Sequence, residues 1–428
     1  EYFGEMNVCT NADDMTLGYF WPMCLLMRSE QYLIQMVGAG EWVDLGVTGV
    51  PLKRSWMCSL PGVDCDMKAA GLWDKVQQAA EDHYDRSSEC TFSSFVGYEY
   101  TDAPEFKNMH RNVVFRNASV VEKPITTYDT GHNEYPELWR RLKEECIEGD
   151  SRCDVMTIPH NPNLSGGLMF PDPHSREQAQ LRSELETLVE LTQHKASSEC
   201  RFDRLLGRGV DTTDEYCSFE QHKADNLAAL GTIFGREVGF DPTPLDDFPR
   251  RNMVRNTLKD GLALYQETGY NPFKLGMIGS TDTHSAIPGG AEEDTFPGHL
   301  GKRDATFRNI QDHFFDNPGG LAVVWAEENS RDAIFSAMRR REAYATSGTR
   351  PIVRFFAGWD FRQDLCSSPD RISQGYEEGV PMGADMPPAP DAAKPTFAVL
   401  AQKDAGSTGK PGTDLQQIQI VKGWVDAQ

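Results

Sequence analysis

Residues 274–284 read Lys-Leu-Gly-Met-Ile-Gly-Ser-Thr-Asp-Thr-His, an apolar run whose far edge delivers a carboxylate, Asp282, and an imidazole, His284, two residues apart. Side chains two apart on an extended segment point to the same face, so this pair can hold one metal ion where a strand leaves its sheet. The pattern recurs upstream. Residues 154–160, Asp-Val-Met-Thr-Ile-Pro-His, form a second β-prone run ending in His160. Residues 95–100, Phe-Val-Gly-Tyr-Glu-Tyr, end near Glu99, and His110 follows in Asn-Met-His-Arg. Several strands each offering one ligand at the same end is how barrel enzymes assemble a site from distant sequence. A single His at a strand end is more often a hydrogen-bonded surface residue, but here three of only ten His fall at such ends.

These residues need elements to position them. Helical periodicity spans residues 71–86, 136–148, 175–186, 251–268 and 330–341. Between them, 187–192 and 274–279 are apolar runs without alternation, as strands covered on both faces require. The alternation of strand and helix from about 90 to 345 predicts an α/β layer or barrel with right-handed crossovers. After about residue 350 the composition shifts. Segments 352–359, 396–402 and 416–425 read as strands, with a Pro/Ala/Asp-rich connection at 381–395. The expected organisation is a barrel over 1–349 and a small β-rich domain over 350–428, incomplete because its last strand stops almost at Gln428.

Composition bounds the function. The chain has 428 residues, enough for two or three domains, and 39% hydrophobic content supports a sizeable core. Its net charge of −23 argues against broad nucleic-acid contact or an anionic membrane surface. A small anionic substrate stays compatible, because bound cations reverse the field locally. There is no run of 18 apolar residues, so no membrane span is expected. The chain opens at Glu1, as a processed mature form would. Ten Cys include the close pairs Cys58/Cys65, Cys146/Cys153 and Cys200/Cys217, and none forms a CxxC metal signature. Disulfides in an oxidising compartment are therefore expected, which means a periplasmic or secreted protein. Neither a Walker loop, a strand-linked GxGxxG nor a GxSxG elbow is present, so nucleotide cofactors and a serine hydrolase are disfavoured.

The stretches YFGE from Tyr2, FVGYEYT from Phe95, HRNVVFR from His110, IPHNPNLSGGLMF from Ile158, VELTQHK from Val189, NPFKLGMIGSTDTH from Asn271, the segment 320–350 and IQIVKGW from Ile418 together resemble the bacterial family called domain of unknown function 3604. That family is related to the PHP (polymerase and histidinol phosphatase) metallohydrolases. The resemblance implies a distorted PHP-like β/α barrel with two or three divalent ions, zinc, manganese or iron, at the C-terminal ends of its strands. Carried over by position, the ligands are Glu99, His110, His160, Asp282 and His284. The first 90 residues depart from the pattern. Where the family has His-x-His, this chain has Asn7 and Cys9, of which Asn7 can ligate weakly and Cys9 can bind zinc as thiolate. Where the family has Thr-Asp-His-Ala-Glu, residues 48–52 offer no ligand. Two accounts stand open. Either the protein has lost part of its cluster, or residues 1–90 as written differ from those of the natural chain, which peptide mass mapping decides.

Bound ions would activate water for hydrolysis, and an anionic ester would also want cationic donors: Arg111, next to His110, and Lys195, just past a strand, are the candidates. Asn161 and Ser280 stand beside ligands and would orient them. The reading is a metal-dependent hydrolase, a phosphoesterase first, acting on a small anionic molecule. The alternative is a non-catalytic PHP-like binding or structural protein with a degenerate metal cluster.

Overall fold

The computed structural model describes residues 8–9, 20–28, 52, 54–227, 232–233, 236–237, 242–283, 319–390 and 393–426. Helix α1, Cys65–Asp82, starts where the Asp64 side chain accepts from the Met67 amide, and it buries Trp73. Trp73 packs edge-on against Tyr98 and tilted against Phe115, and its indole N–H donates to the Val121 carbonyl at 3.1 Å. Tyr98 lies in strand β1, Gly97–Tyr100, which pairs antiparallel with β2, Arg111–Phe115. β2 in turn pairs antiparallel with β3, Val155–Pro159.

Residues paired across strands share a face, so the register fixes two surfaces on this sheet. Tyr98, Val113 and Val155 face α1 and α2, Tyr135–Leu142. Val114, Met156 and Ile158 face the opposite way, onto Leu188, Ile278 and Phe335. The sheet is therefore sandwiched, which is why its strands read as nearly continuous apolar runs.

Helix α3, Arg176–Leu185, is capped by the Ser175 hydroxyl and leads into β4, Leu188–Gln193. β4 folds back on the two-residue β5, Ala196–Ser197. Helix α4, Val254–Thr268, ends on Gly269 in the left-handed region (φ 76°) and returns the chain to β6, Gly276–Gly279, parallel to β4. Beyond it, β7 (Leu321–Val324) and β8 (Ala343–Thr346) pair antiparallel around α5, Arg331–Arg339, capped by Ser330. β3 lies beside β4, and β8 beside β6. The sheets are small and mixed, and no closed barrel ladder runs through the described residues. Among the described residues only β4 and β6 have the parallel pairing that strand and helix alternation predicted; β1 to β3 form an antiparallel meander.

After residue 350, β9 (Ile352–Gly358) sits between β10 (Val380–Pro381) and β11 (Thr396–Gln402) over a cluster of Phe356, Leu365 and Ala398. The expected strand at 416–425 is a correction. Residues 412–426 pair with no strand among the described residues, and Ile418, Ile420, Val421 and Trp424 are exposed. The segment instead leans on the first part of the chain, where the Gln419 amide donates to Asp214 at 3.0 Å. A β pattern becomes a strand only when it pairs with a sheet edge, and among the described residues this segment pairs with none.

The three expected cysteine pairs are joined: Cys58–Cys65, Cys146–Cys153 and Cys200–Cys217. A fourth disulfide, Cys9–Cys24, removes Cys9 from the metal ligands, because a sulfur bonded to sulfur has no thiolate to offer. Cys90 and Cys366 are free. These bonds, and the lack of a described helix long and apolar enough to cross a membrane, are compatible with an extracellular or secreted protein. Replacing Cys200 and Cys217 together by Ala is expected to lower unfolding free energy by about 3 kcal/mol through the 17-residue separation they close. Urea unfolding checks this; identical midpoints for variant and wild type would mean that the pair contributes nothing.

Candidate metal centre

Glu99 sits on β1 opposite Asn112, while His110 precedes β2 and His160 follows β3. Counting by twos along paired strands puts all three on the same face of the sheet, at one end of its strands. The His160 amide donates to the His110 carbonyl at 3.3 Å, so the two imidazoles are adjacent, their ring centroids 5.3 Å apart. Glu99 Oε1 lies 2.7 Å from His110 Nδ1 and 3.1 Å from His160 Nε2. One donor atom from each of the three falls within 4.8 Å of the others, a span a single cation can bridge.

Further residues brace the trio. The Asn108 amide donates to the His160 carbonyl at 2.6 Å, and Gln193 Nε2 stands 3.4 Å from His160 Nδ1. Glu190 is buried in β4 and accepts from the Ser280 hydroxyl. Its one sequence signal was a carboxylate inside an apolar run; Gln193 carried none. His110 Nε2, Asn161 Oδ1 and Glu190 Oε1 are buried with no hydrogen-bond partner among the described residues, and such atoms are normally met by a protein group, an ordered water or an ion.

Asp282 stands elsewhere in the same polar region. It accepts from the Lys195 ammonium, and its Oδ2 is 3.3 Å from His194 Nε2. Backbone strain gathers here: Asn161, Ala196 and Asp282 have φ of 49°, 79° and 51°, a region L residues rarely adopt outside constrained sites. Of the remaining expected ligands, His284 and Asn7 lie outside the described residues, as do residues 48–51.

Arg111 is a correction. It stands one residue from His110, so its side chain leaves the opposite face of the sheet, into the core. There it is fully buried, donates to Glu186 at 2.6 Å and to the Met109 carbonyl at 2.7 Å, and stacks 3.8 Å from the Tyr135 ring. No substrate meets it. Lys195, by contrast, is drawn to the site. A cavity of about 880 Å³ lies away from all these residues, lined by Val254, Leu258, Leu262, Phe273 and Val421.

The charges are tuned by one another. Burial works to raise the Glu99 carboxyl, but hydrogen bonds and positive charge from His110 and His160 hold it well below the usual carboxylate range. Burial works to lower His160, yet Glu99, backed by Glu190 and Asp282, raises it to about 9. His110 goes the other way: burial, with His160 and Lys195 nearby, outweighs Glu99 and keeps it below its ordinary value. One imidazole is thus neutral and ready to coordinate at pH 7, while the other must lose a proton first.

That sets a pH dependence. Metal affinity is expected to rise roughly tenfold per pH unit between 7 and about 9, as the His160 proton ceases to compete. In metal-free protein the sign reverses for stability. The folded His160 value lies above the unfolded one, so its contribution is complete below about pH 6.5 and lost as pH rises through about 9. Glu99 is 35% exposed at its side chain, and solvent screening reduces the effect. Titrations with Mn²⁺ at pH 7, 8 and 9, paired with urea unfolding after chelation, check both; a flat affinity profile would separate His160 from the ion.

No curated protein and no solved structure matches the chain. Residues 50–428 match the model of the family described as protein of unknown function (DUF3604), and the chain belongs to that family.

Proposed function

We propose that this protein is a divalent-metal-dependent hydrolase acting on phosphoesters, built on a distorted PHP-like β/α barrel with a small β-rich domain from about residue 350. The observation that carries the reading is the convergence of Glu99, His110 and His160 from three strands. The residues suit an ion: two imidazoles and a carboxylate are a donor set for zinc, manganese or iron, and His110 Nε2 is a buried nitrogen with no other partner among the described residues. Bound there, the ion supplies a Lewis-acidic charge that lowers the pKa of water and polarises the scissile bond.

The chain's own residues do the rest. Glu99 holds both imidazoles in place, and Gln193 with Asn108 fixes the His160 ring and backbone. Lys195, steered by Asp282, offers the positive charge that phosphoester oxygens need as negative charge develops on them. Four disulfides support a place of action in a periplasm or outside the cell. A second reading, a binding protein with a degenerate cluster, is favoured by the Cys9–Cys24 bond, which takes one donor away.

Elemental analysis followed by a screen of phosphomonoesters and phosphodiesters tests the two. Bound zinc, manganese or iron together with hydrolysis supports the enzyme. A protein that takes up metal yet turns over no ester, or takes up none, supports the binder.

A further inference from the structure

We infer that the Lys195 ammonium fills the cation position beside the Glu99 group, so that the site formed by the described residues holds one divalent ion where the family resemblance implies two or three. The inference rests on the metal-centre reading above and adds its stoichiometry.

Lys195 does not reach the site by chance of side-chain rotation. Gln193 pairs with Ala196, so His194 and Lys195 form a two-residue hairpin turn between β4 and β5. Turns belong at the surface because their backbone polar groups need water. This one is buried: His194, Lys195 and Ala196 are only 6%, 9% and 7% exposed. Its polar groups are met instead by side chains. The Lys195 amide donates to Gln193 Oε1 at 3.2 Å, and the Lys195 carbonyl accepts from Asn163 Nδ2 at 3.0 Å. Asn163 is itself held by the Ser198 hydroxyl at 2.9 Å. Ala196 meanwhile takes a left-handed φ of 79°, a strain that persists only where the surroundings over-determine it. A lysine meant merely to solvate a surface needs none of this.

What surrounds the ammonium is a cation's surroundings. It donates to Asp282 and lies 3.4 Å from His194 Nε2, which is itself 3.3 Å from Asp282 Oδ2. A carboxylate and an imidazole nitrogen, the donor types that hold divalent ions, are gathered around Lys195. Asp282 is therefore satisfied by a charge the chain carries covalently.

The charge balance agrees. Glu99, Glu190 and Asp282 bring at most three negative charges to this region, burial pushing the Glu190 carboxyl up, and each acts electrostatically on His160. One divalent ion plus one ammonium brings three positive charges, which already meets the negative charge of the described carboxylates. A second divalent ion would leave an excess of positive charge over the described carboxylates beside a buried lysine, and buried charge without a counter-charge is strongly disfavoured. The Cys9–Cys24 bond works in the same direction by withdrawing a donor.

The test is Mn²⁺ titration of the full chain after chelation, followed by calorimetry and elemental analysis, on wild type, Lys195→Arg and Lys195→Met. Circular dichroism confirms that each variant is folded. The expected result is about one equivalent for wild type and for Lys195→Arg, which keeps the charge, and about two for Lys195→Met, which removes the ammonium beside Asp282. Two or more equivalents in wild type overturn the inference while leaving the hydrolase reading intact. So does a folded Lys195→Met variant whose titration superimposes on that of wild type. Absence of binding in wild type overturns the metal centre itself and the inference with it. Should Lys195→Met fail to fold, the wild-type stoichiometry decides alone.

Discussion

Glu99→Gln is expected to weaken Mn²⁺ binding by roughly a hundredfold and to bring hydrolysis to background. The amide keeps the shape of the side chain and removes its charge. Both His110 Nδ1 and His160 Nε2 lose their shared acceptor, at 2.7 and 3.1 Å. His160 should then fall from about 9 toward its ordinary range, because Glu99 is the main group raising it against burial. A purely structural role would not move that titration. NMR titration of the imidazole protons together with metal calorimetry makes the comparison, and wild-type behaviour in both would place the ion somewhere else.

Glu186→Gln should have its effect on folding instead. Glu186 is the carboxylate between two buried guanidiniums, 2.6 Å from Arg111 Nε and 2.9 Å from Arg182 Nη2. All three side chains are at most 4% exposed. Removing the charge leaves two cations facing each other under Tyr135 and Trp139, whose ring faces stabilise them only in part. Breaking a buried pair of this kind costs about 3 to 5 kcal/mol, a large share of the roughly 5 to 15 kcal/mol by which a domain is stable. Urea unfolding should show that loss, while the metal affinity of the remaining folded protein stays at the wild-type value. A stable variant with impaired metal binding would return Arg111 to the neighbourhood of the site.

These two substitutions mark how far the chain could be read without coordinates. Glu99, His110 and His160 were legible because a strand has a period of two and its end is where a loop can present a ligand. The same rule, applied one residue too far, misplaced Arg111: adjacency in sequence means opposite faces in a sheet, and the register Tyr100 with Arg111 sends the guanidinium into the core. The helices at 71–86, 175–186, 251–268 and 330–341 were found to within a few residues at most ends, since Ser175 and Ser330 cap two of them locally. The first instead begins at Cys65, six residues early, where Asp64 caps it.

Other features had no local signal. Cys9 looked like a metal thiolate because its partner, Cys24, lies 15 residues away in a segment without clear periodicity. The 416–425 segment has the alternation of a strand, but pairing depends on an edge that only the folded chain supplies or withholds. Lys195 and Asp282 are 87 residues apart, and no spacing rule joins them.

The sequence by itself determined the ligand types, the strand ends that carry them, the cysteine pairs close along the chain and the family, all of which follow from short-range periodicity and motif. Tertiary structure decided which of those ligands meet, that Arg111 serves the core, and that Lys195 rather than open solvent faces Asp282. The reason is physical: sheet register and the burial of a turn are settled by packing between segments far apart in the chain, where charge and exclusion of water act over distances that local patterns do not encode.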